Sequence, residues 1–429
     1  MNSDLALMLF GGFFLLLAMG LPIAVCLALS SLASIVSFNL GSPQLLPQLM
    51  TSAVNSWTLL AIPFFILAGN LLGQSELSRR LINLAEALIG NVAGGLAIVT
   101  VMVGLFLAGI SGSGPAGTAA LGSLLIPAMV ASGYDRRFAA SVTAASGGIG
   151  IIFPPSIALI IYGLVAQNVS IGRLFIAGII PGIVVAASLV VAAYILAKRR
   201  GYRAKRSRGS LREVARAFKE AFWGLLAPVI ILGGIHGGIF TPTEAAAVAV
   251  FYSLFVGFVI YRDLRWSTVW RILCESAATT ATVMYIVAAA SLFAYVLTVG
   301  QLASGIAAWL VSVAGSRLLL LLLVNIVLLI AGTFMDAISI YYIFVPIFLP
   351  ALLALGVDPL HFGIIASVNL TIGLITPPVG VNLFVAAPLA KIRLGDISVG
   401  IIPFILAMLV ALLLINVFPG LSLWLPSLM

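Results

Sequence analysis

The chain has 429 residues, 62% of them hydrophobic and 8% charged, with a mean hydropathy of +1.26 and a formal net charge of +9. A chain apolar nearly end to end is an integral membrane protein, which excludes the soluble enzyme and soluble binding-domain classes. The surplus of Lys and Arg sits in short loops, so it reads as a topology signal and headgroup contact, not as a nucleic-acid surface. Cys26 and Cys274 fall in apolar stretches, so no disulfide framework is expected, and His236 and His361 are too few for the usual metal sites. Met1-Asn2-Ser3-Asp4 is not a basic leader, and no cleavable signal is expected.

A membrane-crossing helix needs about 20 apolar residues. Residues 4–20 form a first span, Gly20-Leu21-Pro22 a turn, and a second span runs to residue 38. A polar loop from Asn39 to Asn55 leads to a third span at 56–73. Ser75-Glu76-Leu77-Ser78-Arg79-Arg80 then opens an amphipathic segment ending at Gly90, which predicts a helix lying in the interface. Residues 94–133 hold two apolar legs joined by the breakers Ser111 to Gly114. The legs are short, so the expectation is a re-entrant hairpin with its tip near mid-membrane. The apolar run 138–165 is broken by Gly147-Gly148-Ile149-Gly150 and by Phe153-Pro154-Pro155. Proline removes a backbone donor and clashes with the turn before it, freeing carbonyls. A span at 174–197 closes this half.

Residues 198–222 form a basic linker that includes Arg212, Arg216 and Lys219 on one face of a predicted surface helix at 211–222. The pattern then recurs with spans at 223–239 and 243–261, a basic loop carrying Arg262, Arg265 and Arg271, and a span at 274–298. An interfacial segment at 300–315 is followed by a second hairpin, 317–355, with its tip at Gly332-Thr333-Phe334-Met335-Asp336. A second broken span, 359–389, has its breakers from Gly373 to Pro378, and a last span covers 397–417. Glu244, three residues after Thr241, reads as a capping-box acid at a helix start. His361 reads as an interfacial side chain.

One constant offset of 223 residues relates the two halves. It carries Gly109 to Gly332, Pro127 to Pro350, Gly133 to Gly356, Asp135 to Asp358 and Gly150 to Gly373. It also carries Pro154-Pro155 to Pro377-Pro378. Punctuation matching punctuation is a repeat, since chance apolar similarity would align Leu with Leu. The expected fold is therefore all-α and polytopic, with about ten spans, two re-entrant hairpins and interfacial arm helices. Residues 1–197 form one repeat and 223–429 the other, joined by 198–222. Five crossings per half invert the second half relative to the first. Placing 198–220 in the cytoplasm leaves only Arg173 and Arg317 outside among the 21 Lys and Arg, so both termini are expected outside.

Inverted repeats with paired hairpins and paired broken helices are the pattern of a secondary transporter. Half-helix N-termini offer free N–H groups to anions, and unwound carbonyls with hydroxyls suit a dehydrated Na⁺. Cation ligands are expected from Ser111, Ser113, Gly147, Gly150 and Pro154 in one half. In the other they are expected from Gly332, Thr333, Asp336, Thr371, Gly373 and Thr376. Substrate contacts are expected from Ser113, Gly114, Ser156, Thr376 and Asn382. No Lys or Arg lies in these segments, so a carboxylate substrate would be held by helix N-termini, hydroxyls and bound cations. Asp336, whose repeat counterpart is Ser113, either ligates the cation or braces the tip from behind it. No phosphate-binding loop and no hydroxyl with a neighbouring base are present, so neither ATP hydrolysis nor enzyme catalysis is expected.

The motifs G-S-G-P-A-G-T-A-A at 112–120, G-I-F-T-P-T-E-A-A-A at 238–247, G-T-F-M-D at 332–336 and N-L-T-I-G-L-I-T-P-P-V-G-V-N-L-F at 369–384 carry a resemblance. Over essentially its full length the chain resembles the large membrane subunit of tripartite ATP-independent periplasmic (TRAP) transporters. That resemblance implies Na⁺-driven uptake by an elevator movement in a bacterial inner membrane. It implies a periplasmic binding protein that delivers an organic acid and a small four-helix membrane subunit, expected here as a separate chain. Two alternatives stay open: a stand-alone cation-coupled organic anion symporter of the same architecture, and a channel or scaffold without coupled transport.

Overall fold

The computed structural model describes residues 3–42, 44–89, 92–167, 169–202 and 210–428, and every regular element among them is a helix. Arg203, Lys205, Arg206 and Arg208 of the basic linker, and the Gly90 end of the amphipathic segment, lie outside the described residues. In hydrocarbon each unpaired backbone group costs several kcal/mol, so helix ends must be closed by the chain itself. Side chains do this at the starts. Asp135 accepts from the backbone N–H of Arg137 and Phe138, and Asp358 does the same for Leu360 and His361. Ser170 and Ser316 cap their helices through one N–H each. Ser210 with Glu213, and Thr241 with Glu244, form complete capping boxes, as expected for Glu244.

Single helices long and apolar enough to cross a bilayer number six among the described residues, or eight if the two bent pairs Leu45–Val54 with Trp57–Gly73 and Leu394–Gly400 with Ile402–Val417 are counted. The ten-span reading leaves out the hairpin legs Gly114–Ala131 and Ala337–Ala354, adds the shorter helices Ser3–Ala18 and Ile23–Ser37, and takes each broken segment as one crossing. Four local expectations need correction. Residues Leu45–Val54, expected as loop, are helical, because Pro47 sits in the first turn where no ladder bond is lost. The surface helix expected at 211–222 is instead the first part of one 26-residue helix, Leu211–His236. Its Gly224 lies against the side chain of Leu77, so the apolar face runs unbroken from the surface inward. The expected basic loop is shorter, 261–265 with Arg262 and Arg265, while Arg271 joins the span in Trp266–Val299, a stretch with no Gly or Pro to stop it. Finally, His361 is fully buried, not interfacial: it lies in the first turn of Pro359–Gly373, which packs inside the protein.

Both hairpins are present. The first joins Gly95–Ser111 to Gly114–Ala131, and the second joins Arg317–Gly332 to Ala337–Ala354. The outer ends of the first lie together at one end of helix Ile171–Arg199. There Gly94 packs on Ala197, and Tyr134 stacks on Tyr202 at 4.3 Å. The first broken segment runs from Arg136–Gly148 through a break at 152–156 to Ile157–Val165. The second runs from Pro359–Gly373 through 374–380 to Val381–Ala390. The two lie antiparallel. Arg137, at the start of the first, pairs with Asp396 beyond the end of the second at 2.8 Å. Tyr162, near the end of the first, donates its hydroxyl to the Pro359 carbonyl at the start of the second.

Candidate functional site

Glycine is what lets the tips reach the breaks. At the first tip Gly112 takes φ +58° and lies so close to the break that an added Cβ would stand 2.8 Å from the Pro155 carbonyl oxygen. The Gly112 carbonyl accepts from the Ile157 N–H at 3.4 Å, and a Cβ on Gly150 would come within 3.1 Å of the Ser113 carbonyl oxygen. At the second tip a Cβ on Gly373 would meet the Gly332 backbone at 2.7 Å, and the Thr333 carbonyl accepts from the Gly380 N–H at 3.4 Å. Each hairpin thus seats its tip on the break of its own half. Both breaks carry a cis proline pair, Pro154-Pro155 and Pro377-Pro378.

The two tips face one cavity of about 220 Å³. Ser113, Gly114 and Pro115 line it from the first tip, Asp336 and Ala337 from the second, and Leu374 and Val381 from the second break. Ile66, Thr279 and Val283 close it from other helices, and sequence reasoning missed them. Nothing singles out Thr279, which stands among Glu275, Ser276, Thr280 and Thr282. A second cavity of about 630 Å³ adjoins the first hairpin, lined by Ser111, Gly117 and Ala120 on one side and by Asn70, Gln74 and Arg79 on the other.

Of the residues expected to bind substrate, Ser113 and Gly114 reach the shared cavity. Ser156 is buried and committed to local structure, donating to the Ile151 carbonyl at 2.6 Å and accepting from the Leu159 N–H. The Thr376 hydroxyl donates to the Ile372 carbonyl at 2.6 Å. Asn382 crosses between the halves, its Nδ2 donating to the Ala144 carbonyl at 3.0 Å, while its buried Oδ1 has no donor. None of these three lines the shared cavity.

The residues expected around cations fall into two groups. In the first half Ser111 Oγ is buried without a partner. It lies 3.9 Å, and the Gly147 carbonyl oxygen 3.4 Å, from the point where Gly117 would carry a Cβ. The missing side chain leaves room between two oxygens, one of them idle, which is the donor chemistry a small hard cation takes. Gly147 itself lies against Thr118, and Pro154 is buried at the cis bond. In the second half the hydroxyls of Thr333 and Thr371 donate to the Ile330 and Ser367 carbonyls at 2.8 and 2.9 Å, which leaves their oxygen lone pairs free. Ligands there would come from those hydroxyl oxygens, from the backbone carbonyls of Gly332, Gly373 and the break, and from Asp336. The Asp336 carboxylate caps its helix through the N–H groups of Ile338 and Ser339 and accepts the Ser339 hydroxyl at 2.6 Å. Neutral oxygens with one carboxylate fit a monovalent cation.

Residues 10–421 match the family model described as the DctM component of the tripartite ATP-independent periplasmic transporter. The chain is 46% identical over 401 residues to the C4-dicarboxylate TRAP transporter large permease protein DctM of Pseudomonas aeruginosa, covering 94% of this chain and 93% of that one. It is 40% identical to the sialic acid TRAP transporter large permease protein SiaM of Vibrio cholerae, covering 98% of each. It is 43% identical to the isethionate TRAP transporter permease protein DctMQ of Oleidesulfovibrio alaskensis, where 97% of this chain spans 65% of the relative's length. Among solved structures the YdaH transporter of Alcanivorax borkumensis superposes with a TM-score of 0.67 at 18% identity, over 88% of this chain and 87% of that one, so the two share a fold. The chain belongs to the DctM component family of tripartite ATP-independent periplasmic transporters.

Proposed function

We propose that this chain is the large membrane subunit of a sodium-coupled importer of an organic acid. The relatives' substrates, a C4-dicarboxylate, sialic acid and isethionate, are all organic acids. One observation carries the reading: the two hairpin tips, 223 residues apart in register, face a single cavity that the scaffold helices close. An Asp336 carboxylate beside a cavity meant for an anion is repulsive unless a cation stands between them, so charge alone links substrate and cation binding.

In this reading the hairpins and antiparallel broken segments are halves of an inverted repeat and travel together as the mobile body. The helices contributing Ile66, Thr279 and Val283 stay fixed in the membrane. Loop charge puts Gln74 and Arg79 on the cytoplasmic side, which makes the 630 Å³ cavity the inner vestibule and this conformation the one open inward. A four-helix membrane subunit would complete the fixed part, and a periplasmic binding protein would deliver the substrate. The test is uptake into proteoliposomes containing both membrane subunits. Accumulation should require an inward Na⁺ gradient and added binding protein. Equal uptake with choline replacing Na⁺ would overturn the coupling, and full-rate uptake of free substrate by this chain alone would overturn the tripartite assembly.

A further inference from the structure

Amide side chains are costly inside a membrane-spanning bundle unless they are paired, and here three of them join end to end. Asn369 donates from Nδ2 to Asn325 Oδ1; Asn325 donates from Nδ2 to Asn416 Oδ1 at 2.9 Å; Asn416 donates from Nδ2 to the Leu412 carbonyl at 2.8 Å. All three are at least nine-tenths buried. They stand on different helices: Asn369 on the second broken segment, Asn325 on the outgoing leg of the second hairpin, Asn416 on the last span. The returning leg is fastened to the same broken helix by a separate bond, Tyr341 to Ser367 at 2.8 Å, with both residues buried. Both legs of the second hairpin are therefore bolted to Pro359–Gly373.

Among the described residues, the first-half counterparts make no such fastening. At the 223-residue offset, Asn325, Asn369 and Asn416 answer to Met102, Ser146 and Ala193, and Tyr341 and Ser367 to Thr118 and Ala144. Ser146 and Thr118 only bond back along their own helices, to the Val142 and Gly114 carbonyls. The asymmetry needs a reason, because each hairpin makes a close backbone approach to the break of its own half.

Resting on the reading of a cation site at the second tip, we propose that Asn325, Asn369 and Tyr341 are positioning residues for that site. The bolts fix the depth of the hairpin along the broken helix, and that depth sets the Gly332–Gly373 approach from which the ligating carbonyls face inward. Without a bolt the hairpin samples other depths, and cation binding must first select the correct one. Selection raises the apparent cation constant and leaves the rate at saturating cation intact. A merely structural role would instead lower the amount of folded protein and the maximal rate together.

The test uses the purified chain and its proteoliposomes with both partners. Thermal stability is read in choline and in rising Na⁺, and uptake is read against external Na⁺. For Asn325→Leu and Tyr341→Phe the half-saturating Na⁺ should rise about three- to tenfold in both readouts, the scale of one lost buried hydrogen bond, with maximal uptake retained. Asn416→Leu leaves the Asn325–Asn369 bond in place and should shift it less. Tyr341→Phe removes one hydroxyl and no volume, so it decides the matter if Asn325→Leu does not fold. A wild-type chain without any Na⁺-dependent stabilisation would sink the cation site itself. A normal wild-type response together with half-saturating Na⁺ unchanged within about twofold in Tyr341→Phe would overturn this inference alone.

Discussion

Asp336 and Ser113 hold the same structural position in the two halves, the N-cap of the returning hairpin leg, and both face the shared cavity. Only Asp336 caps anything. Its oxygens take two backbone N–H groups and a hydroxyl, whereas the Ser113 side chain makes no capping bond. Bracing therefore belongs to the Asp336 carboxylate, which also stands at the cavity wall. The Ser113 hydroxyl is left free to meet a ligand.

From that difference, Asp336→Asn should weaken sodium dependence more than Ser113→Ala. Asparagine keeps one capping oxygen but removes the charge that a bound cation would balance. Initial uptake against external Na⁺ in proteoliposomes with binding protein measures it. Wild-type half-saturation and steepness in Asp336→Asn would remove the carboxylate from coupling.

Glycine at the tip contacts gives a steric prediction. A Cβ at Gly147 would overlap Thr118, and one at Gly373 would meet the Gly332 backbone at 2.7 Å. Overpacking of this kind costs about 1–3 kcal/mol and would push the tip off its break. Gly147→Ala and Gly373→Ala should both lose most uptake and melt at lower temperature. Gly233→Ala, where nothing lies within 4 Å, should be neutral or stabilising. Wild-type uptake in both tip variants would mean that the close approach is dispensable.

Punctuation was legible in the chain before any coordinates. Asp135 with Asp358, the glycines at 112, 133 and 356, and the proline pairs mark helix ends through local chemistry, and local chemistry survives folding. What stayed hidden depends on partners far away in sequence. Nothing near Asn325 announces Asn369 or Asn416, and Ile66 looks like any other lipid-facing isoleucine. Helix lengths were misread where composition stays apolar or helix-forming through a turn, as at Leu211–His236 and Trp266–Val299. Hydrophobic periodicity cannot mark an end there. Ser156 and Thr376 stand out in the sequence as hydroxyls beside a break, and what the sequence does not show is that each also donates to a nearby backbone carbonyl.

Sidedness tests the proposed inverted repeat. In a background lacking Cys26 and Cys274, single cysteines at Ser132 and Leu355 mark the outer ends of the two hairpins. Ser132→Cys should react with an impermeant thiol reagent from the cytoplasm only, and Leu355→Cys from the opposite side only. Labelling of both from one side would contradict the inverted arrangement.

Asn382 carries the last prediction, because its two amide atoms do different things. Nδ2 ties the second half to the Ala144 carbonyl of the first. Oδ1 is fully buried with no donor, 3.4 Å from where a Cβ on Gly114 would stand. An idle buried acceptor costs about 1–3 kcal/mol, so an Asn serving only as a tie would be a poor choice for this place. The acceptor has a use if loading the adjacent first tip brings a cation or a substrate donor to it. Asn382→Ala should therefore show two separable losses. The missing tie should lower the melting temperature in choline, by the worth of about one net hydrogen bond plus a small void. The missing acceptor should also shrink the added stability that Na⁺ and substrate confer on the wild-type chain. Thermal melts in choline, in Na⁺, and in Na⁺ with substrate read the two effects independently. If the ligand increments match wild type while the choline value falls, Asn382 is a tie between the halves and leaves the binding set.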